Sequence, residues 1–188
     1  MAKDELKSPQ RRTLTKRLIR EAMLTMLKTR SIQDITVREL CDEAGVNRTT
    51  FYNHYDGVYE VLGEIEENFL LQLADEGGFT RGQLDLPQHI ERLCEKLQQN
   101  KDIALLLLTN NADPNFSSKL MKLQACGPVW SETVSSYSPA EYELLAQFIS
   151  GGAFAMVCHW LESGCTQTPK QVAALMTKVI QNGILPKK

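Results

Sequence analysis

The sequence predicts an all-α protein, with an N-terminal three-helix helix-turn-helix domain followed by a larger C-terminal helical domain. Two patterns carry this. Apolar residues recur three and four positions apart in one segment after another, the spacing of a buried helical stripe. Helix-start signatures stand ahead of several of those segments: Thr36 with Glu39, Ser138-Pro139 with Glu141, and Thr168-Pro169. The chain has 188 residues, 43% of them hydrophobic and 23% charged, which is ordinary for a globular protein able to bury a proper core.

Residues 1–12 are polar and charged, broken by Pro9, and read as a flexible basic arm that ends in Arg11 and Arg12. Such an arm adds non-specific phosphate contacts or nothing. Thr13 or Thr15 is expected to cap the first helix, which runs to about Thr29 with Leu14, Leu18, Ile19, Ala22 and Met23 in its apolar stripe. Lys16, Arg17 and Arg20 fall on its exposed side, where phosphate contact and plain solvation are both open. Ile32 and Ile35 anchor the loop that follows.

The stretch from Thr36 to Tyr55 organises the rest. Thr36 and Glu39 form a capping box, and Val37, Leu40 and Ala44 give one apolar stripe. Gly45 suits the positive φ that ends a helix. Val46 plugs the corner and Asn47 caps a second helix. In that helix Phe51 and Tyr55 lie four apart and face the core. Arg48, Thr49, Tyr52 and Asn53 take the other face, with Thr50 and His54 beside them, and no Asp or Glu occurs from Val46 to Tyr55. A helix that offers donors and positive charge on one side, anchored by aromatics on the other, suits the major groove of DNA.

After Asp56-Gly57 a long helix carries Val58, Val61, Leu62, Ile65, Phe69 and Leu73, with Glu60, Glu64, Glu66 and Glu67 expected on its exposed side. Gly77, Gly78 and Gly82 mark the clearest interruption in the chain. Pro87 starts a helix bearing Ile90, Leu93, Cys94 and Leu97. Lys101-Asp102 starts another, apolar all round from Ile103 to Leu108 and therefore buried. Phe116 to about Ser135 is expected to be helical, with a break at Gly127-Pro128. The next helix runs from Ser138-Pro139 to Gly164, and its Gly151-Gly152 pair points to close helix–helix approach. The last runs from Thr168-Pro169 to Asn182-Gly183, with Val172, Leu175, Met176, Val179 and Ile180 on one face.

The segment AGVNRTTFYNHY, preceded by a Thr-capped helix and followed by a long helix, resembles the DNA-binding domain of the tetracycline-repressor (TetR) family. The resemblance is specific over the first third of the chain and architectural beyond it. It implies domains at 13–57 (DNA-binding), 58–75 (connecting helix) and 76–188 (effector-binding and dimerisation). It implies a homodimer joined through the last two helices, which reads a near-palindromic double-stranded operator and, as a repressor, is released by a small-molecule or protein effector. DNA contacts then fall to Thr36, Arg48, Thr49, Thr50, Tyr52, Asn53 and His54, with Lys16, Arg17 and Tyr59 as further phosphate candidates. Arg48, towards guanine, and Asn53, towards adenine, are the candidate base readers. An effector pocket falls among Leu105, Phe116, Cys126, Trp130, Phe148, Met156, His159 and Trp160, each of which plain core or dimer packing explains as well. One departure stands out: many members carry Lys where this chain has Val58.

Net charge is −2, but it is unevenly spread. Residues 1–55 hold 11 Lys/Arg against 7 Asp/Glu, and the remainder 10 against 16. A basic head on an acidic body suits a protein that meets phosphates at one end. The five cysteines and three histidines are scattered, without metal-ligand spacing, so no metal and no cofactor are expected. No apolar run is judged to approach the roughly 20 residues of a membrane span, Ile103 to Leu108 being far too short, and nothing resembles a signal peptide, so a cytoplasmic protein without membrane contact is expected. Nucleotide-binding, nucleophile-elbow and zinc-protease motifs are absent, which disfavours an enzyme. The alternative to the regulator is a protein-interaction module of the same architecture, acting through a partner protein with weak or no DNA binding.

Overall fold

The computed structural model describes residues 7–74, 85–108, 116, 119 and 138–183. Among them every regular element is helical. In chain order these are α1 (Lys7–Leu27), a 3-10 turn (Ile32–Asp34), α2 (Val37–Ala44), α3 (Arg48–Tyr52), α4 (Val58–Leu73), α5 (Leu86–Gln99), α6 (Lys101–Leu108), α7 (Pro139–Glu162) and α8 (Pro169–Gly183). The expected helix at about 116–135 lies outside the described residues, apart from helical Phe116 and Lys119. The described residues divide into two compact units, one of 7–69 with 106–108, the other of 70–105 with 116, 119 and 138–183.

In the first unit, α1 packs on α2 and α2 on α3. Ile19, Met23 and Leu27 of α1, Leu40 of α2, Phe51 of α3 and Val61 and Leu62 of α4 are fully buried, with Ile32 and Ile35 closing the loop beneath. The helix α1 begins at Lys7, ahead of the expected start at Thr13 or Thr15, so the tail of the supposed flexible arm is helical. Pro9 falls in the first turn, where its missing N–H has no intrahelical partner to lose. Thr15, expected as a cap, is interior, and its hydroxyl donates to the Arg11 carbonyl at 2.9 Å. Leu14 and Leu18, placed in the buried stripe by their spacing, are largely exposed.

The acidic side of α4 also departs from expectation. Glu60 and Glu67 are exposed, but Glu66 is buried and Glu64 is half-buried in ion pairs. Val58 is buried, as are Val61, Leu62, Ile65, Phe69 and Leu73.

In the second unit α5 packs on α8. Asp85 caps α5 by accepting the Gln88 N–H at 2.9 Å, and Pro87 sits in its first turn. Lys96 donates to the Ala74 carbonyl at 2.8 Å and that of Leu73 at 3.5 Å, so an ammonium meets the orphan carbonyls at the end of α4. In α6 only Ala104 and Leu107 are fully buried, so its surround of apolar residues is covered on one side.

Ser138 and Glu141 form the expected capping box on α7, and Gly164, at φ 89°, follows its end. The final helix divides its apolar residues: Val172, Met176 and Ile180 are buried, whereas Leu175 and Val179 are 53% and 52% exposed. Among the described residues, nothing outside the helix's own backbone lies within 4 Å of the positions a Cβ would take at Gly151 and Gly152. Close packing against those residues therefore does not explain the pair. Contrary to the sequence reading, α7 is long and apolar enough to cross a membrane by length and composition, with a mean hydropathy of 1.5 in its most apolar window. Only 22% of that window is buried within the chain.

Candidate nucleic-acid interface

The site is built on two caps and one glycine. Thr36 Oγ1 accepts the Glu39 N–H at 3.3 Å, while Glu39 Oε2 accepts the Thr36 N–H at 3.0 Å and its hydroxyl at 2.6 Å. Arg30 reaches Glu39 Oε1 at 3.0 Å and also donates to the Asp34 carbonyl, tying the loop to the cap. The Thr36 hydroxyl, the Arg30 guanidinium and the Thr36 amide all favour the charged carboxylate and hold the Glu39 pKa down at about 2. Gly45 then takes φ 64°, a left-handed conformation that any side chain would strain, and the Val46 N–H closes onto the Cys41 carbonyl at 3.0 Å. Asn47 Oδ1 accepts the Thr50 N–H at 2.7 Å and starts α3.

The helix α3 ends at Tyr52, so Asn53, His54 and Tyr55 lie beyond it. The chain stays close to helical there: Asn53 has φ −74° and ψ −8°, and the Tyr55 N–H bonds to the Phe51 carbonyl at 3.0 Å. Phe51 and Tyr55 are buried with ring centroids 5.7 Å apart. The Tyr52 ring stands edge-on to Phe51 at 5.5 Å and is 56% exposed. Arg48, Thr49 and Asn53 are exposed as well, and Thr50 and His54 are half-buried. Thr36 is exposed, but its hydroxyl and amide serve the capping box.

Two of the phosphate candidates have carboxylate partners. Lys16 lies 2.7 Å from Glu64 of α4 and its ammonium stands 5.0 Å above the Tyr55 ring. Arg20 pairs with the same carboxylate. Arg17 meets Glu21 at 3.3 Å on the surface. Burial pushes the Glu64 carboxyl up, but Lys16, Tyr55 and Arg20 together outweigh it and hold its pKa low. Burial, and then the charge of Glu64, push the Tyr55 phenol well above its ordinary range. The sequence reading missed this network because Glu64 shares a helix face with exposed Glu60 and Glu67; its spacing from buried Val61 and Ile65 was the available signal. Tyr59 is exposed on the first turns of α4.

The candidate effector residues are a mixed set. Cys126 and Trp130 lie outside the described residues. Phe116 is fully buried, Leu105 and Met156 are half-buried, and Trp160 is buried and donates its indole N–H to the Gln167 carbonyl at 2.9 Å. Phe148 is 74% exposed and His159 is exposed too. A pocket wall needs its members to face one cavity, and solvent-facing Phe148 and His159 do not share the buried setting of Phe116 and Trp160. Among the described residues no group of three His, Cys, Asp or Glu side chains is placed to hold a metal.

Residues 85–182 match the TetR-type family model described as a transcriptional regulator C-terminal region. The uncharacterized HTH-type transcriptional regulator YxbF of Bacillus subtilis (strain 168) is 20% identical in an alignment of 173 positions that covers 86% of this chain. The chain spans 43% of that relative's length. Among solved structures, a TetR transcriptional regulator from Streptococcus agalactiae 2603V is similar over 94% of this chain and 98% of its own, at 21% identity and a TM-score of 0.72. The Thermus thermophilus repressor FadR, in complex with lauroyl-CoA, is similar over 92% of this chain and 96% of its own, at 18% identity and a TM-score of 0.56. At these identities the solved structures show a shared fold.

Proposed function

The chain belongs to the TetR family of transcriptional regulators, and from that premise we propose that it is a homodimeric repressor that reads a near-palindromic operator. The observation that carries this is the outer face of α3 and the residue after it. Arg48, Thr49, Tyr52 and Asn53 are exposed there together, with Phe51 and Tyr55 fixing the opposite face in the core. Arg48 suits a guanine edge and Asn53 an adenine edge, while Tyr52, His54 and the amide end of α2 at Thr36 suit phosphates. One recognition helix reads only a few base pairs, so specific affinity calls for two heads related by a two-fold axis.

The second copy is proposed to sit on α7 and α8. Leu144, Phe148, Gly152, Ala155 and His159 lie at spacings of three and four along α7 and are all exposed; Leu175 and Val179 do the same on α8. A partner helix against this stripe explains the small residues at 151, 152 and 155 and the apolar length of α7. Phe148 and His159 are thereby assigned to the dimer, which leaves Leu105, Phe116, Met156 and Trp160, together with Cys126 and Trp130 outside the described residues, as candidates for the effector site in region 76–188. An effector releases DNA only by binding more tightly to the conformation with mis-spaced heads.

In-vitro selection of random duplexes with the purified protein, followed by salt titration of the selected sequence, tests the reading. An inverted repeat whose affinity falls steeply with salt is the expected result. Arg48→Ala is expected to lose sequence selection while keeping fold and dimer. Buried Val58 and the pairing of Lys16 with Glu64 favour a second reading, the partner-protein module. Failure of folded, dimeric protein to enrich any sequence would overturn the operator reading and shift the weight to that module.

A further inference from the structure

We propose that the N-terminal extension of α1 is a second DNA-contact surface, in which Arg11 and Arg12 grip the sugar-phosphate backbone alongside α3. This rests on the DNA-binding reading and adds residues to it. Because α1 starts at Lys7, Arg11 and Arg12 are held on a helix, where a loose arm was expected. They form one wall of an open groove of about 1100 Å³ whose other wall carries Asn47, Thr50, Asn53 and His54. Arg12 also lines an adjoining hollow of about 340 Å³, again with Asn53 and His54. Among the described residues no Asp or Glu lines either hollow.

Charge bookkeeping along α1 separates these arginines from the cations that follow. Lys16 and Arg20 are held by Glu64 and Arg17 by Glu21, so each already faces a carboxylate. Arg11 and Arg12 are exposed, and among the described residues neither forms an ion pair. A concave surface that carries two guanidinium groups with amide and imidazole donors, and no acid among the described residues, fits a polyanion. A phosphodiester backbone running beside a helix that occupies the major groove is that polyanion. Contacts of this kind set register and affinity and carry no sequence information.

The test compares wild type, the double variant Arg11→Ala/Arg12→Ala and the double variant Arg11→Lys/Arg12→Lys on the duplex that wild type selects. Each phosphate contact removed makes the plot of log affinity against log salt shallower by about 0.9. The Ala variant is therefore expected to lose about 1.8 per DNA-bound head, to bind at least about tenfold more weakly at 0.1 M salt, and to select the same sequence. The Lys variant is expected to keep most of the slope, which separates loss of charge from loss of the helix. An unchanged slope in the Ala variant, a slope lost equally in the Lys variant, or selection of a different sequence would each overturn the proposal. Failure of wild type to select any duplex would overturn the DNA-binding reading itself, and is recognisable because it precedes any variant.

Discussion

The Lys16 ammonium lies 2.7 Å from the Glu64 carboxylate, and Arg20 closes on the same group from one turn further along α1. A single half-buried acid on α4 thus holds two cations of α1, and Lys16 in turn covers the Tyr55 ring. Lys16 thereby joins α1 to α4 within the first unit.

Glu64→Gln removes the charge at the centre of that network. The site lies between an exposed pair, worth up to about 1 kcal/mol, and a buried one, worth about 3–5 kcal/mol to break. A loss of about 1–2 kcal/mol on denaturant unfolding is expected. The folded pKa of Glu64 is lowered, so its contribution is complete above the unfolded value of about 4.3 and fades as pH falls through the lower folded value. The gap between wild type and variant should be constant near neutrality and shrink below about pH 4. A gap that persists undiminished in acid would show that charge is not its origin.

Thr36→Ala tests the capping box that starts α2. Thr36 is the leading cause of the low Glu39 pKa, through its hydroxyl and then its amide, with Arg30 between them. In the variant the carboxyl titration followed by NMR should rise from about 2 towards the ordinary value of about 4.3, stopping short of it because Arg30 and the backbone amide of residue 36 remain. An unmoved titration would mean that those two donors, without the hydroxyl, hold the carboxylate.

The helix-turn-helix was legible because its determinants are local: Thr36 and Glu39, Gly45, Asn47, and the Phe51–Tyr55 spacing each act within one turn of helix. What depends on a partner from another element was not. Spacing alone puts Leu14 and Leu18 with Ile19 and Met23, yet which side of α1 is covered is decided by α2, and both leucines are exposed. Glu66 looks like a surface acid and is buried, and Glu64 gains its role only where α4 meets α1. Val179 and Ile180 are apolar neighbours in sequence, yet Ile180 is buried and Val179 is open.

The Cys94 thiol in α5 should be chemically silent. Burial, followed by the negative charge of nearby Cys165, Glu91 and Glu95, pushes its pKa up to about 12. The thiolate is the reactive form, so alkylation by iodoacetamide at pH 8 should spare Cys94 in the folded protein and label it once the chain is unfolded. Because the folded pKa is raised, the contribution of Cys94 to stability is complete below the unfolded value of about 8.5 and is lost as pH climbs towards the folded one. Labelling of Cys94 at the unfolded rate under native conditions would contradict its burial.

Phe148→Glu tests the face on which the proposed dimer depends. Phe148 is 74% exposed and Leu144, one turn earlier, 73%, so neither contributes much to the core of its own chain. A glutamate at 148 should therefore leave the melting temperature of an isolated protomer nearly unchanged while placing a charge in the middle of the proposed seam. Central aromatic contacts of this kind typically carry 2 kcal/mol or more of association energy, about 30-fold or greater in the dimer constant. Light scattering across a dilution series should show the variant as a monomer at concentrations where wild type is a dimer. Since two heads on one duplex are needed for specific affinity, operator binding should fall with it, although every residue of α3 is intact. A variant that remains dimeric would place the partner elsewhere, and the exposed stripe from Leu144 to His159 would need a different cover.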